Sequence, residues 1–397
     1  MSTVPRSQAL RGLRVLDLTR VRAGPTCCRV LADFGADVIK IEPPPGVDPN
    51  EGISGPRHGY DMLNLHRNKR SLTLNLKTPQ GLDVFRRMLR EADVVVENYR
   101  PDVKERLGIG YEALKSENPR IILASISGFG QHGPDSKRAG FDQIAQGMGG
   151  LMWVTGLPGQ GPVRAGAAVA DSASGLYAAI GILIALAERQ RSGVGQWVAT
   201  SLLEAQIALM DFQAARYLID GEVPQQAGND HPVSTPMGVF ATQDGFINLG
   251  VGGDGQWRSL CSAMGLTGPE ADPEFATQAA RFRNRPRVRA MLEPVFSRHT
   301  SAEWLDRLAA AGVPAGPIYR MDEVFADPQV KHLNMAVPVH HGARGDINVV
   351  GQPLTLSRTP AAVVTPAPDA GEHTDEILRE LGLDADQIAR LKADGIV

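Results

Sequence analysis

The chain has 397 residues, with 41 Lys+Arg against 44 Asp+Glu and a net charge of −3. That length carries a substantial core and suggests two domains. The near balance of charge argues against a general nucleic-acid binder without excluding a local anion site. Three cysteines, with Cys27 and Cys28 adjacent, give neither a disulfide framework nor a zinc spacing. The residues after Met1 lead into no long apolar region, so a cytoplasmic protein is expected.

Residues 13–18 read as a buried strand, which Ala23-Gly24-Pro25 breaks. Pro25 suits the first turn of a helix running to Phe34. A second strand at 38–42 completes a β-α-β unit, so a parallel sheet is expected. Pro43-Pro44-Pro45-Gly46 then forces an irregular segment. Strands at 71–76, 93–97 and 121–126 alternate with helices at 78–91 and 111–118. This pattern predicts an open α/β domain covered on both faces. Residues 176–187, apolar apart from Gly181, are shorter than the about 20 residues that span a bilayer, and read as a buried helix. One long helix is expected over 197–219. Residues 238–242 and 245–251 flank Gln243-Asp244 as a hairpin. Helical segments over 256–311, a turn at 312–317, a strand at 346–350 and an amphipathic helix from 375 complete the chain. The expected organisation is a large α/β domain over 1–215, a smaller α+β domain over 225–325, and a segment over 330–397 that returns to the large domain.

His66-Arg67-Asn68-Lys69-Arg70 is a dense basic run beside a strand, and Lys77, Arg100 and Arg106 recur near other strand ends. Open α/β sheets bind ligands at strand C-termini, and guanidinium groups offer paired donors to phosphate. Such cations suit a phosphate-rich ligand or form a solvated basic face. Gly128-Phe129-Gly130-Gln131-His132-Gly133 follows a strand, but Pro134-Asp135-Ser136 stands where a dinucleotide fingerprint needs an apolar helix. These glycines are expected to shape a loop over a ligand. Glu42 sits where a ribose-binding acid could stand, without the glycine triad that would support it. H-E-x-x-H, C-x-x-C, G-x-S-x-G and G-K-[ST] patterns do not occur, and no metal site is expected. The most singular reactive group is Asp171, the one ionisable residue among the small residues of 165–175. It is a helix N-cap, with Ser172 the other candidate for that position, or a nucleophile held at a helix N-terminus.

The chain resembles the class III CoA-transferase family, also called the carnitine dehydratase/bile-acid-inducible (CaiB/BaiF) family. The resemblance rests on Val15-Leu16-Asp17-Leu18 with Ala23-Gly24-Pro25, on Asn68-Lys69-Arg70-Ser71, and on Val96-Glu97-Asn98-Tyr99. It continues through Ser127-Gly128-Phe129-Gly130, Asp142-Gln143-Ile144-Ala145-Gln146, Asp171 with Gly175, and Gly312-Val313-Pro314-Ala315-Gly316-Pro317. It implies a Rossmann-like large domain and a small domain in ring-shaped subunits that interlock as a homodimer. It further implies Asp171 as the catalytic carboxylate, and acyl-CoA and a carboxylic acid as substrates with no permanently bound cofactor. CoA contacts are implied at Ala23, Leu74, Asn75, Leu76, Lys77, Asn98, Tyr99, Arg100, Arg106 and Arg138. Arg22 is expected to meet a free carboxylate of the substrate, which suggests succinate or a related C4–C5 dicarboxylate. Gly252 and Gly253 fall in the counterpart of a substrate loop, and residues 250–255 are a candidate lid. Neither a nucleic acid nor a membrane is an expected partner. Two departures stand out: Pro43 where some members carry a CoA-contacting arginine, and a short 250–255 loop that speaks against oxalate. Racemases of the same family pair the aspartate with a histidine where this chain has Phe141, so transfer is expected over racemisation. A catalytically silent acyl-CoA-binding protein is the rival from another class.

Overall fold

The computed structural model describes residues 5–48 and 52–397. Two compact units emerge, one of residues up to 151, Ala165–Leu218 and Pro328–Val397, the other of Met152–Arg164 and Ile219–Asp327.

The first unit is built on six strands: β1 (Arg14–Asp17), β2 (Asp37–Glu42), β3 (Arg70–Thr73), β4 (Val94–Glu97), β5 (Ile122–Ser127) and β6 (Trp197–Ser201). They lie in the order β3-β2-β1-β4-β5-β6, and every pairing is parallel. The order reverses between β1 and β4, which opens a crevice at their C-terminal ends. The helices are α1 (Ala23–Asp33), α2 (Tyr60–Leu65), α3 (Pro79–Arg90), α4 (Pro101–Arg106), α5 (Tyr111–Glu117), α6 (Asp142–Met148), then α7 (Leu151–Val154), which runs into the second unit, α8 (Val169–Ser192), α9 (Leu202–Leu209) and α10 (Asp211–Asp220), whose last two residues belong to the second unit. β4 and β5 are buried along their whole length because both sheet faces are covered. One core gathers Leu16, Ile39, Leu72, Phe85 and Leu123; the other gathers Val15, Leu31, Val94, Val96, Ile122 and Ile182. Each such side chain contributes about 1.5–3 kcal/mol of burial.

The second unit holds an antiparallel sheet of β7 (Met237–Ala241), β8 (Phe246–Gly250) and β9 (Ala315–Pro317). Its helices α11 (Asp254–Ala263), α12 (Gln278–Arg283), α13 (Arg285–Phe296) and α14 (Ser301–Ala310) supply Trp257, Leu260, Leu292, Phe296 and Trp304 to its own core; α15 (Met321–Ala326) follows. The remaining chain belongs to the first unit: α16 (Pro328–His332), the antiparallel pair β10 (Ala336–His341) and β11 (Gly345–Val350), then α17 (Thr374–Glu380) and α18 (Ala385–Ala393). Ile377, Leu378 and Ile388 enter the core under β3 and α3.

Several sequence expectations need correction. Residues 197–219 are not one helix. Trp197–Ser201 pairs with Leu123–Ser127 as the sheet's last strand, helped by β-branched Val198 and Thr200. The Ser201 hydroxyl then accepts from the Glu204 amide at 3.1 Å and starts α9, and Asp211 at φ 44° separates α9 from α10. The 176–187 run is the middle of a 24-residue helix, α8, long and apolar enough by length and composition to cross a membrane. It is buried on one face only: Ala178, Ala179, Ile182 and Ala185 pack inward, while Leu176, Tyr177, Ile180, Leu183 and Ile184 are exposed. The turn at 312–317 contributes β9, and the tail breaks into two helices at Gly382, φ 82°. Met152–Arg164, expected in the large domain, belongs to the second unit. Trp153 Nε1 donates to Pro224 O at 2.9 Å, and Gln226 Nε2 donates to Thr155 O and Gly161 O at 2.8 and 2.6 Å.

Candidate functional site

A cleft of about 800 Å³ opens at the C-terminal ends of β1, β2, β4 and β5. Among the described residues, all that line it belong to the first unit. Ala23 lines it as the first residue of α1, preceded by Arg22. Leu74, Asn75, Leu76 and Lys77 come from the segment after β3. Asn98, Tyr99 and Arg100 follow β4, Arg106 ends α4, and Arg138 stands in the loop after β5. Asp171, in the first turn of α8, completes the set. Phe141 also lines the cleft and is 56% exposed. Gly252 and Gly253 lie in the second unit before α11, where their amides donate to Gln256 Oε1 at 3.0 and 3.3 Å.

The walls are held by side chains and backbone together. Asn98 Oδ1 accepts from the Arg20 amide at 2.9 Å, and its Nδ2 donates to Arg20 O at 2.8 Å, so the β1–α1 and β4–α4 loops are clamped. Burial pushes the Tyr99 phenol up to about 12, against the opposing pull of Arg20. Among the described residues, the Lys77 ammonium donates to the Val47 carbonyl alone, at 3.5 Å. Arg106 pairs with Asp102 at 3.3 Å and Arg138 with Asp135 at 2.8 Å, each a near neighbour in sequence on an exposed surface. Such pairs are worth little and exchange readily for an anionic ligand.

The basic run at 66–70 forms no phosphate surface and no solvated face. Arg67 and Asp33, both fully buried, pair at 2.8 Å. Lys69 Nζ donates to Asp17 Oδ2 at 2.8 Å in an equally buried pair. Arg70 binds Asp37, Glu376 and Glu380. The Glu42 carboxylate is likewise taken, by Arg57 at 2.6 Å and the Ser71 hydroxyl at 2.7 Å.

Asp171 is not the N-cap. α8 begins at Val169, after Ala168, and the capping group comes from elsewhere. Asp142 Oδ1 accepts from the Ala170 amide at 2.9 Å and the Asp171 amide at 3.4 Å. Gln146, one helical turn on from Asp142, fixes that carboxylate by donating to its Oδ2 at 2.7 Å and to Ala167 O at 3.0 Å. Burial raises the Asp171 carboxyl to about 6; the Asp142 charge adds to the shift and Arg22 opposes it. The helix N-terminus still favours an anion there. Because Asp142 occupies the Ala170 and Asp171 amides, these two N–H groups are not free to act as an oxyanion hole. Asp142 and Gln146 were missed as site residues by sequence reasoning. Their i, i+4 spacing, with apolar Ile144 and Ala145 between, was the available signal.

Gly175 sets where Asp171 stands. A Cβ there would overlap the Ala23 carbonyl oxygen and crowd Thr26, so only glycine lets α8 cross α1 this closely. That crossing puts Asp171, one turn earlier on α8, on the same cleft as Ala23. Arg22 is engaged by Asp61 of α2, with Nη2 at 2.8 and 2.7 Å from the two carboxylate oxygens. Its other nitrogens make no hydrogen bond among the described residues. Among those residues, no group of three or more His, Cys, Asp or Glu could hold a metal ion.

Comparison with known proteins identifies the family. The family model for CoA-transferase family III matches residues 10–374. The chain is 41% identical over 391 residues to succinate–glutarate CoA-transferase of Agrobacterium fabrum, covering 96% of this chain and 98% of that protein. It is 36% identical to human succinyl-CoA:glutarate CoA-transferase, covering 98% and 90%. The crystal structure of a CaiB/BaiF family protein from Brucella suis superposes with a TM-score of 0.81 at 37% identity, over 94% of this chain and 100% of that one. The chain belongs to CoA-transferase family III.

Proposed function

We propose that this enzyme moves CoA from an acyl-CoA thioester to a C4–C5 dicarboxylate such as succinate or glutarate, with Asp171 as the covalent carrier. The observation that carries this reading is a half-buried carboxylate, short of compensating cations, on a cleft that Arg100, Arg106 and Arg138 also line. The nucleotide end of CoA lies along Leu74, Asn75, Leu76, Lys77, Asn98 and Tyr99, and its phosphates draw Arg106 and Arg138 from their surface partners. Ala23 packs against the pantetheine arm. Arg22, with nitrogens to spare beyond Asp61, meets the free carboxylate of the substrate. No cofactor is retained between turnovers.

The chemistry follows from the carboxylate. An Asp171 oxygen attacks the thioester carbonyl carbon and CoA thiolate leaves, which gives an acyl–aspartyl anhydride. The held thiolate attacks the Asp171 carboxyl carbon and expels the donor acid as its carboxylate. The acceptor carboxylate then attacks the aspartyl-CoA thioester and releases thiolate, forming a second anhydride. Thiolate attack on the acceptor carbonyl yields the new acyl-CoA and restores Asp171. No net proton is consumed. Orientation in the cleft supplies about 7–11 kcal/mol towards these steps, and binding of the remote nucleotide stabilises that orientation. With the α8 amides already engaged, oxyanion donors come from the glycine loop at 128–133.

The exposed apolar stripe Leu176, Tyr177, Ile180, Leu183 and Ile184 fits a second copy of the chain better than water. We therefore extend the reading to a cytoplasmic homodimer of interlocked, ring-shaped subunits. The decisive experiment pairs a panel of acyl-CoA donors with carboxylic acids and reads products by mass spectrometry. Succinyl-CoA with glutarate is expected to give glutaryl-CoA, and hydroxylamine is expected to trap Asp171. Undiminished turnover in Asp171→Asn would sink the covalent reading, and α-proton exchange without an acceptor acid would favour a racemase. Sedimentation tests the dimer.

A further inference from the structure

Lys104 is a buried cation with no part in the chemistry above. It sits on α4, 2% exposed. An ammonium group in that setting is costly unless paired and hydrogen-bonded. Its nearest carboxylate oxygen, Glu97 Oε1, is 3.8 Å away. That oxygen completes no hydrogen bond of good geometry, although the Ser125 hydroxyl lies beside the carboxyl. The Trp197 ring centre is 5.3 Å from the ammonium. The short bond of Lys104 Nζ goes instead to Gln131 Oε1, in the glycine loop. Gln131 Nε2 makes no hydrogen bond, so Lys104 is that side chain's anchor among the described residues.

This bond joins two walls of the cleft. Tyr99 and Arg106 flank Lys104 on one wall, and Arg138 and Phe141 follow Gln131 on the other. The loop's two ends touch, since a Cβ on Gly128 would lie 2.8 Å from Gly140 Cα. Gly140 leads along the chain to Phe141 and to Asp142, which caps the helix bearing Asp171. We propose that Lys104 is a positioning residue that, by holding Gln131, ties the wall at 98–107 to the loop at 128–141 and keeps the Asp171 end of the cleft in register with the nucleotide end. The kinetic consequence rests on the CoA-transfer reading; the tie itself does not.

Lys104→Met, Gln131→Ala and the double variant test it with two readouts in the full-length protein. One is the rate of tryptic cleavage after the exposed Lys137 and Arg138, identified by mass. The other is kcat for CoA transfer beside the Kd for free CoA. Each single variant is expected to speed cleavage about tenfold and lower kcat about tenfold, with CoA affinity held within about threefold. The double variant is expected to match Lys104→Met, because both changes cut one connection. Lys104→Arg, which keeps a donor, is expected to retain most of the parent's kcat. Parent-like cleavage in Lys104→Met, or single effects that multiply in the double, would overturn the proposal. Should Lys104→Met fail to fold, Gln131→Ala decides by the same readouts. A parent that transfers no CoA refutes the transfer reading and leaves the cleavage rates to judge the tie.

Discussion

Asp17 and Asp171 are carboxylates of the same unit with opposite surroundings. Burial pushes Asp17 up, yet Lys69 and Lys40 outweigh it, and with hydrogen bonds from Lys69 and Thr19 they bring it to about 2. Asp171 is also pushed up by burial, but its strongest charged neighbour is another carboxylate, Asp142, and it ends near 6. The cations divide in the same way. Arg67 and Lys69 of the 66–70 run are spent on buried carboxylates, whereas Arg106 and Arg138 pair with exposed carboxylates that a ligand can displace. A carboxylate with matched cations stays ionised into acid; one with a like charge beside it and a single opposing cation is held closer to neutrality.

The comparison can be broken at either side. Asp171→Asn is expected to lower CoA transfer by at least about 1,000-fold while the melting temperature stays level or rises. Lys69→Met strands Asp17 in the interior and is expected to cost about 3–5 kcal/mol in denaturant unfolding. Acid titration sharpens the contrast. The folded pKa of Asp17 is depressed, so its stabilisation is present above about 4 and is lost as pH falls towards 2, about 2–3 kcal/mol in all. The folded pKa of Asp171 is raised, so the sign reverses. Its ionisation costs stability as pH climbs from about 4 to about 6, and the advantage of Asp171→Asn in melting experiments should grow over that interval, by at most about 3 kcal/mol. Under the proposed covalent route Asp171 attacks as the carboxylate, so the acyl-transfer rate should rise through pH about 6. Asp142→Asn, which removes the like charge, should shift that midpoint downward. The smallest effect is expected at the rim: Arg138→Ala should weaken CoA binding about tenfold, near 1.4 kcal/mol, with stability unchanged within about 0.5 kcal/mol.

Much of the first unit was legible because its strands carry near-continuous apolar runs separated by turn residues, as parallel strands buried on both faces must. Asp171 stood out because small residues surround it. What stayed hidden depended on partners far away in sequence. The local signals at Trp197–Ser201, β-branched Val198 and Thr200 and the capping Ser201, are weak, and its strand identity is completed by pairing with the edge of β5. The basic run looked like a ligand surface because Asp17, Asp33 and Asp37 lie more than 30 positions before their partners. Capping of α8 by Asp142 spans 28 residues, and the Arg22–Asp61 pair spans 39. Charge patterning along a sequence reports which ions exist, and only the fold reports which are already paired.

The close crossing of α8 over α1 at Gly175 has a consequence for anyone building variant libraries of this enzyme. A library that spares every cleft-lining side chain could still lose activity wholesale at this one silent-looking position, because any larger residue would shift the turn of α8 that carries Asp171 without touching Asp171 itself. Tolerance to substitution here will track distance from that crossing as well as distance from the substrate.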